Sequence, residues 1–179
     1  MGEARLDDTG LGLTPGSDGW FVVNVRDGVW LTSEEYGSTA PFEGREFWFR
    51  QLGFKVSVLQ PGQPNGLYHS ESQQEAFLVL HGECKLLVDG EERLLRQWDF
   101  VHCPAGTEHI FVGAGDGPCA ILMAGVRTAD EKLHYPVSEL AAQYGASVEN
   151  ETPDPDEAYK GQGPWKLERP SSWAQLPWA

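Results

Sequence analysis

The sequence predicts an all-β domain, a barrel or sandwich of antiparallel strands. Short apolar runs recur from Phe47 to Val126, each closed by a turn rich in Gly, Pro, Asp or Ser. The connections between them are too short to hold the crossover helices that parallel strands need. Asp89-Gly90 stands between two such runs and is a strong two-residue hairpin signal. Evenly spaced short strands of this kind favour a sandwich or barrel over a βαβ fold.

Taken in order, residues 1–18 are rich in Gly, Asp and Pro and read as an irregular lead-in. Trp20–Val25 reads as a first strand, with Val29–Leu31 as its short partner after the Asp27-Gly28 turn. Thr32–Glu46, with Ser33, Gly37, Ser38 and Pro41, reads as a connection, and Phe47–Leu59 as a longer strand region interrupted at Gly53. The run Pro61-Gly62-Gln63-Pro64-Asn65-Gly66 is a strong turn. Strands are then expected at Ala76–Leu80, Cys84–Val88, Arg93–Leu95, Phe100–His102, Glu108–Val112 and Pro118–Val126. Past Arg127 the character changes. Val137–Tyr144 suits one or two helical turns begun by a Ser138 cap, and Glu149–Glu157 is acidic and Pro-containing. Trp165, Trp173 and Trp178 lie among prolines, and because tryptophan is costly to leave in water at least one should dock on the barrel or on a second subunit.

The length of 179 residues suffices for one domain with a substantial core. A formal net charge of −14 and a pI near 4.6, with no Lys/Arg cluster, argue against nucleic acid and anionic membranes as partners. No apolar stretch approaches a membrane span. The polar, acidic segment Met1–Gly10 lacks the basic and greasy regions of a secretory signal. Cys84, Cys103 and Cys119 are odd in number and form no CxxC pair, which fits reduced thiols in the cytoplasm.

The chemistry concentrates between Gly62 and Gly113. His69, Glu71 and Glu75 share one parity, so in extended chain they face the same way, with Phe77 and Val79 beyond them. His109 and Phe111 repeat the pattern on a second strand. Two walls that each place donors beside aromatic bulk describe a metal in an apolar pocket, for which His69, Glu71, Glu75 and His109 are the candidate ligands. Tyr68, Phe77, Cys103, Phe111 and Met123 are candidate pocket lining. Without metal, Glu71 and Glu75 would repel and one would hold a proton, so Glu71 is also a candidate general base, beside an ion or in a metal-free pocket. His102 reads as structural or surface, Trp48 and Trp98 as core or interface, and Arg50 and Lys55 as surface charges. Were either cation to point inward, it could hold a substrate carboxylate.

The stretch PGQPNGLYHSESQQEAFLVLHG resembles the first motif of the cupin family: glycine, a short gap, His-x-His, three or four residues, Glu, six residues, Gly. His69, Glu75 and Gly82 fall at that spacing, Glu71 stands where the second histidine belongs, and Gly62 lies one residue further out. The stretch WDFVHCPAGTEHIFVG is similar to the second motif: Pro104, Gly106 and His109 match, Trp98 replaces a glycine and Gly113 an asparagine. The resemblance covers residues 45–127. It implies a single-domain cupin, a double-stranded β-helix or jelly-roll barrel, flanked by an N-terminal arm with short strands (1–44) and a C-terminal extension with little regular structure (128–179). It also implies a divalent transition metal (Fe, Mn, Ni or Zn) on His69, Glu71, Glu75 and His109. With Glu71 outside the ligand set, a two-His-one-carboxylate triad with open positions remains. The expected function is a metal-binding cupin enzyme of oxygenase or isomerase type on a small, mostly apolar organic substrate; the alternative is a non-catalytic small-ligand-binding or sensing barrel. A metal-free sugar-nucleotide isomerase would want more Lys and Arg than this chain holds. The arms and surplus tryptophans suggest a homodimer that covers a sheet edge.

Overall fold

The computed structural model describes residues 2–44 and 47–179. Its strands are β1 (Leu6–Asp8), β2 (Leu13–Pro15), β3 (Leu31–Ser33), β4 (Gly37–Ala40), β5 (Leu52–Leu59), β6 (Ser70–Glu71), β7 (Glu75–His81), β8 (Glu83–Val88), β9 (Glu91–Arg96), β10 (Phe100–Cys103), β11 (His109–Ala114), β12 (Cys119–Val126) and β13 (Leu133–His134). Then come the short helices α1 (Glu139–Ala142) and α2 (Pro155–Ala158), strand β14 (Lys166–Leu167) and a 3₁₀ turn at Trp173–Gln175. A seven-stranded sheet runs in the order β10-β7-β12-β5-β4-β3-β14, and a three-stranded sheet in the order β11-β8-β9. All pairs in both are antiparallel, as the short connections require. The expected start of the barrel at residue 45, and the end of the expected connection at Glu46, lie outside the described residues.

Alternation along the strands builds two cores. Leu59 of β5, Phe77 and Val79 of β7, and Cys119, Ile121 and Met123 of β12 point toward the small sheet, where Cys84, Leu86 and Phe111 meet them. The opposite parity of the large sheet, Ala40, Val56, Val58 and Ala120, packs outward against Trp30, whose ring is 1% exposed. Trp178 stacks on Trp30 at 5.9 Å and Trp173 meets it edge-on at 5.8 Å. Each such aromatic pair adds about 0.5–1.5 kcal/mol beyond area burial. Trp165 remains 44% exposed.

The strands from β7 to β12 form where the alternating pattern and turn chemistry place them. Asp89 (φ 46°) and Gly90 (φ 79°) take the two left-handed positions of the β8–β9 hairpin. The amino-terminal expectations fare differently. Trp20–Val25 is not a strand: only Trp20 makes an isolated bridge, to Glu3, and Trp20 and Val22 are 55% and 79% exposed. Phe21, Val23 and Val25 are half-buried along one side, but beyond Trp20 no described strand pairs with the segment's backbone, so alternation alone does not make it a strand. An Asn24 turn, with Asp27 and Gly28 both donating to the Asn24 carbonyl, replaces the expected hairpin. Its partner Leu31 pairs instead with Thr39, so the expected connection holds the β3–β4 hairpin. Ser33 Oγ organises that turn by accepting from the amides of Glu35 and Tyr36.

Two departures from the cupin motifs have physical reasons. Trp98 stands at a motif glycine and adopts that glycine's backbone, φ 75°, while its ring is 68% exposed rather than in the core. Trp48, also expected in core or interface, is 56% exposed. Gly113 stands where the motif has asparagine. A Cβ there would lie 2.1 Å from the Gln60 carbonyl oxygen, so the turn at Gln60–Gln63 packs directly on the β11 backbone. Gly62 donates to the Gly113 carbonyl at 2.8 Å across this contact.

Candidate metal centre

The first donor sits on a segment that the chain's later part holds in place. His69 follows Leu67, whose amide donates to Tyr159 Oη at 3.0 Å, and Tyr68, whose amide donates to the Ala146 carbonyl at 2.7 Å. β13 then pairs with β6, Leu133 opposite Glu71. His69 forms an antiparallel backbone bridge with His109, their amides donating to each other's carbonyls at 3.2 and 2.8 Å. The bridge joins two distant segments and puts both imidazoles at one height, ring centroids 5.2 Å apart. Glu75 opens β7 opposite Gly125 of β12.

Both histidines are oriented the same way. His69 Nδ1 lies 2.7 Å from the Leu67 carbonyl and His109 Nδ1 3.0 Å from the Thr107 carbonyl. A carbonyl only accepts, so each Nδ1 carries the proton and each Nε2 presents a lone pair. His109 Nε2 then faces Glu75 Oε2 at 3.2 Å, one acceptor against another, unless a proton or a cation lies between them. Burial, then the charge of His69, pushes the His109 pKa down to about 4, so the ring is neutral, the form that binds metal. Burial, then the charge of Glu71, pushes Glu75 up to about 7. A divalent ion would relieve that cost. The donor atoms of His69, Glu75 and His109 all lie within 4.8 Å of one another, positioned to chelate a divalent metal.

Glu71, the fourth candidate, stands outside this trio. Its Oε1 is 3.6 Å from His69 Nε2, and it shares a hydrogen bond with Glu131. Burial works against its ionised form, but the neighbouring His69 and Glu131 side chains outweigh it and hold Glu71 below the usual glutamate range. Burial, then the hydrogen bond and charge of Glu71, pushes Glu131 up to about 7, so the pair carries one proton between two carboxyls near neutrality.

The trio and this pair open on a cavity of about 360 Å³. Phe77 and Met123 line it as expected; Tyr68, Cys103 and Phe111 do not. Tyr68 is turned to the opposite parity from His69 and packs with Leu87, Ile110 and Ala141. Phe111 and Cys103 belong to the core between the sheets, and burial, then the charge of Glu75, pushes the Cys103 thiol up to about 11. His102 is exposed. Among the lining residues that went unrecognised in sequence are four polar ones. Asn65 accepts from the Phe111 amide at 2.8 Å and hides in what reads as a turn, and Glu131 lies in a loop without a motif. Arg127 and Glu43 form a pair, with Oε1 at 2.6 Å, between segments 84 positions apart. Lys55, expected at the surface, lines the cavity as well: it shares the parity of Ser57 and Leu59, the inward face of β5.

Residues 55–125 match the family model described as "Cupin domain", and this stretch is a cupin-superfamily domain. Among solved structures, the chain is similar to a sugar phosphate isomerase "from a cupin superfamily" of Silicibacter pomeroyi, with TM-score 0.56 and 26% identity, over 64% of this chain and 81% of that one. It is also similar to a putative sugar phosphate isomerase from Acidithiobacillus ferrooxidans, with TM-score 0.45 and 24% identity, over 47% of this chain and 55% of that one; the match thus spans about half of that protein. The polyketide cyclase RemF from Streptomyces resistomycificus shares the fold, with TM-score 0.51 and 16% identity, over 59% of this chain and 78% of that one. No curated protein matches the chain. Among the described residues, no helix is long and apolar enough to cross a membrane.

Proposed function

We propose that this protein is a metal-dependent enzyme of the isomerase type, one that moves a proton between neighbouring carbons of a small carbonyl-bearing molecule. The observation that carries this reading is the Glu71–Glu131 carboxyl pair beside a three-donor site that leaves coordination positions open. A divalent ion on His69, Glu75 and His109 would supply Lewis acidity toward a carbonyl or hydroxyl oxygen. The chain's own groups do the rest. Glu71, ionised and aimed at the same lumen, accepts a proton from carbon, and Glu131 shares that proton through their hydrogen bond. Phe54, Phe77, Val126 and Leu133 exclude water from the flank, which suits a substrate with an apolar side. The reaction type in the name of the Silicibacter protein supports an isomerase over an oxygenase; an oxygenase would have no use for a carboxyl pair.

The finer features belong to the same reading. The seven- and three-stranded sheets are the two halves of a double-stranded β-helix, although among the described residues only isolated bridges such as Pro64–Val112 and His69–His109 join them near the site. The exposed Leu94, Trp98 and Phe100 support a homodimer through the β9–β10 side, and the odd cysteine count supports the cytoplasm.

Metal content of the purified chain, followed by proton exchange in D₂O, tests the proposal. With bound Mn, Fe, Ni or Zn, a panel of short aldoses, ketoses and hydroxy ketones should yield at least one member that takes up deuterium at the carbon beside its carbonyl, followed by NMR. Glu71→Gln should slow that exchange by about 100-fold or more while metal content stays unchanged. Oxygen consumption without exchange would replace the isomerase by an oxygenase. Binding without either would return the protein to a sensing or binding barrel.

A further inference from the structure

Among the described residues, one cation in the cavity has no hydrogen-bond or ion-pair partner. The lining holds two, Lys55 and Arg127. Arg127 is engaged: it grips both carboxylate oxygens of Glu43, at 2.6 and 3.2 Å, and donates to the Phe49 carbonyl at 3.0 Å. Lys55 makes no hydrogen bond or ion pair with any described residue, and it keeps open surface on the cavity. Its side chain is exposed on the cavity side, where Glu75 and Glu71 act on it only at a distance. An ammonium placed this way is open to direct pairing with an anion that enters the cavity.

Strand register shows what could reach it. Lys55 lies opposite Met123, and Met123 opposite Phe77, whose ring is 5.2 Å from that of His109. Lys55 and Phe77 are therefore two strand spacings apart, about 10 Å between backbones. The next inward-facing row is Gly53, Gly125 and Glu75. The two glycines carry no side chain of their own, and the space above them is taken by neighbours: a Cβ on Gly53 would strike the Arg127 guanidinium at 2.7 Å, and one on Gly125 would reach Glu75 at 3.7 Å. Lys55 and the donors thus line one cavity, with Met123 and Phe77 following Lys55 along its row.

We propose that Lys55 anchors a carboxylate, so that the cavity's ligand is a small organic monoanion lying in this cavity with its far end at His69, Glu75 and His109. This rests on the cavity being the ligand site of a metal centre, as argued above. A carboxylate fits better than a phosphate. One ammonium, beside an Arg127 guanidinium already paired with Glu43, offers few donors for a phosphate dianion, and Glu71, Glu75 and Glu131 repel its second charge.

The test is calorimetric titration of the full chain, metal-free and Ni(II)-loaded, with three probes of equal carbon count: butanoate, butanol and butyl phosphate. Butanoate should bind both forms more tightly than either other probe. Lys55→Met, of similar length and expected to fold, should weaken butanoate by about tenfold or more in both forms, and Lys55→Arg should restore most of it. Equal butanoate affinity in wild type and Lys55→Met would overturn the proposal, because the carboxylate would then sit elsewhere, on the metal for example. Tighter binding of butyl phosphate than of butanoate would overturn it too, as would failure of the wild type to bind butanoate in either form. Loss of nickel from the wild type would instead sink the metal centre, while the Lys55 comparison in the metal-free protein stays readable. If Lys55 serves only to balance Glu75 and Glu71, Lys55→Met will change nickel affinity and leave butanoate unaffected, which also counts against the proposal.

Discussion

On one wall of the cavity, His69 and His109 are each pinned by a carbonyl two residues earlier in their own chain segment. On the facing wall, Arg127 and Glu43 hold each other across 84 positions, Glu131 reaches in from a loop, and Lys55 has no described partner. The donor wall is set by local backbone and will keep its shape with or without a ligand. The facing wall is held by side chains, so its arrangement depends on what occupies the lumen. Rigid chemistry on one side and adaptable recognition on the other is a sensible division for a site that must hold an ion constantly and a substrate briefly.

Removing one donor should break the comparison most sharply. His109→Ala deletes a ring that is 3% exposed and one of three ligand atoms, and metal affinity should fall by more than about 100-fold, read by metal stoichiometry and competition with a chelator. Acid should act on the same wall next. The ion must displace the Glu75 proton below pH about 7, and a second proton, from His109, only below about 4. Affinity should therefore rise with pH by about tenfold per unit from this proton as pH approaches 7, and flatten above it. Titration of metal binding at several pH values checks the slope. A profile unchanged between pH 5 and 7 would mean that Glu75 is not a ligand. On the facing wall, Arg127→Met should leave metal affinity within about threefold and cost about 1 kcal/mol or less in thermal melts, because the Arg127–Glu43 pair is partly exposed. A large loss of metal from that variant would show the two walls to be one unit. The smallest effect lies outside both. Trp98→Gly should leave metal affinity unchanged and gain about 1 kcal/mol in the single chain by relieving a left-handed tryptophan that packs little within it, seen as a higher melting temperature at a protein concentration low enough to dissociate a dimer.

The same contrast governs how much the sequence discloses. Strands β7 to β12 are visible because alternation and turn residues such as Asp89-Gly90 act within a few positions. The donors are visible because parity on two strands turns His69, Glu75 and His109 toward the same lumen. Glu71 shares that parity, yet Glu131 engages it and it stands outside the trio; no local pattern announces a partner 60 positions away. Tyr68 sits next to a donor and faces away, as a strand period of two requires. Lys55 could have been placed inward from the parity of Ser57 and Leu59, had charge not been given more weight than register. The β3–β4 hairpin was hidden by Ser and Gly, whose loop-like composition here serves a tight turn.

The pairing of His69 with His109 through both their amides and their rings carries a dynamic consequence. The segment bearing His69 belongs to no large sheet, so this bridge is a local seam that can breathe without unfolding the domain. An ion seated on both imidazoles would act as a clasp across that seam. Its release should then be felt as faster hydrogen–deuterium exchange at those two amides, well before any change reaches β5 or β12.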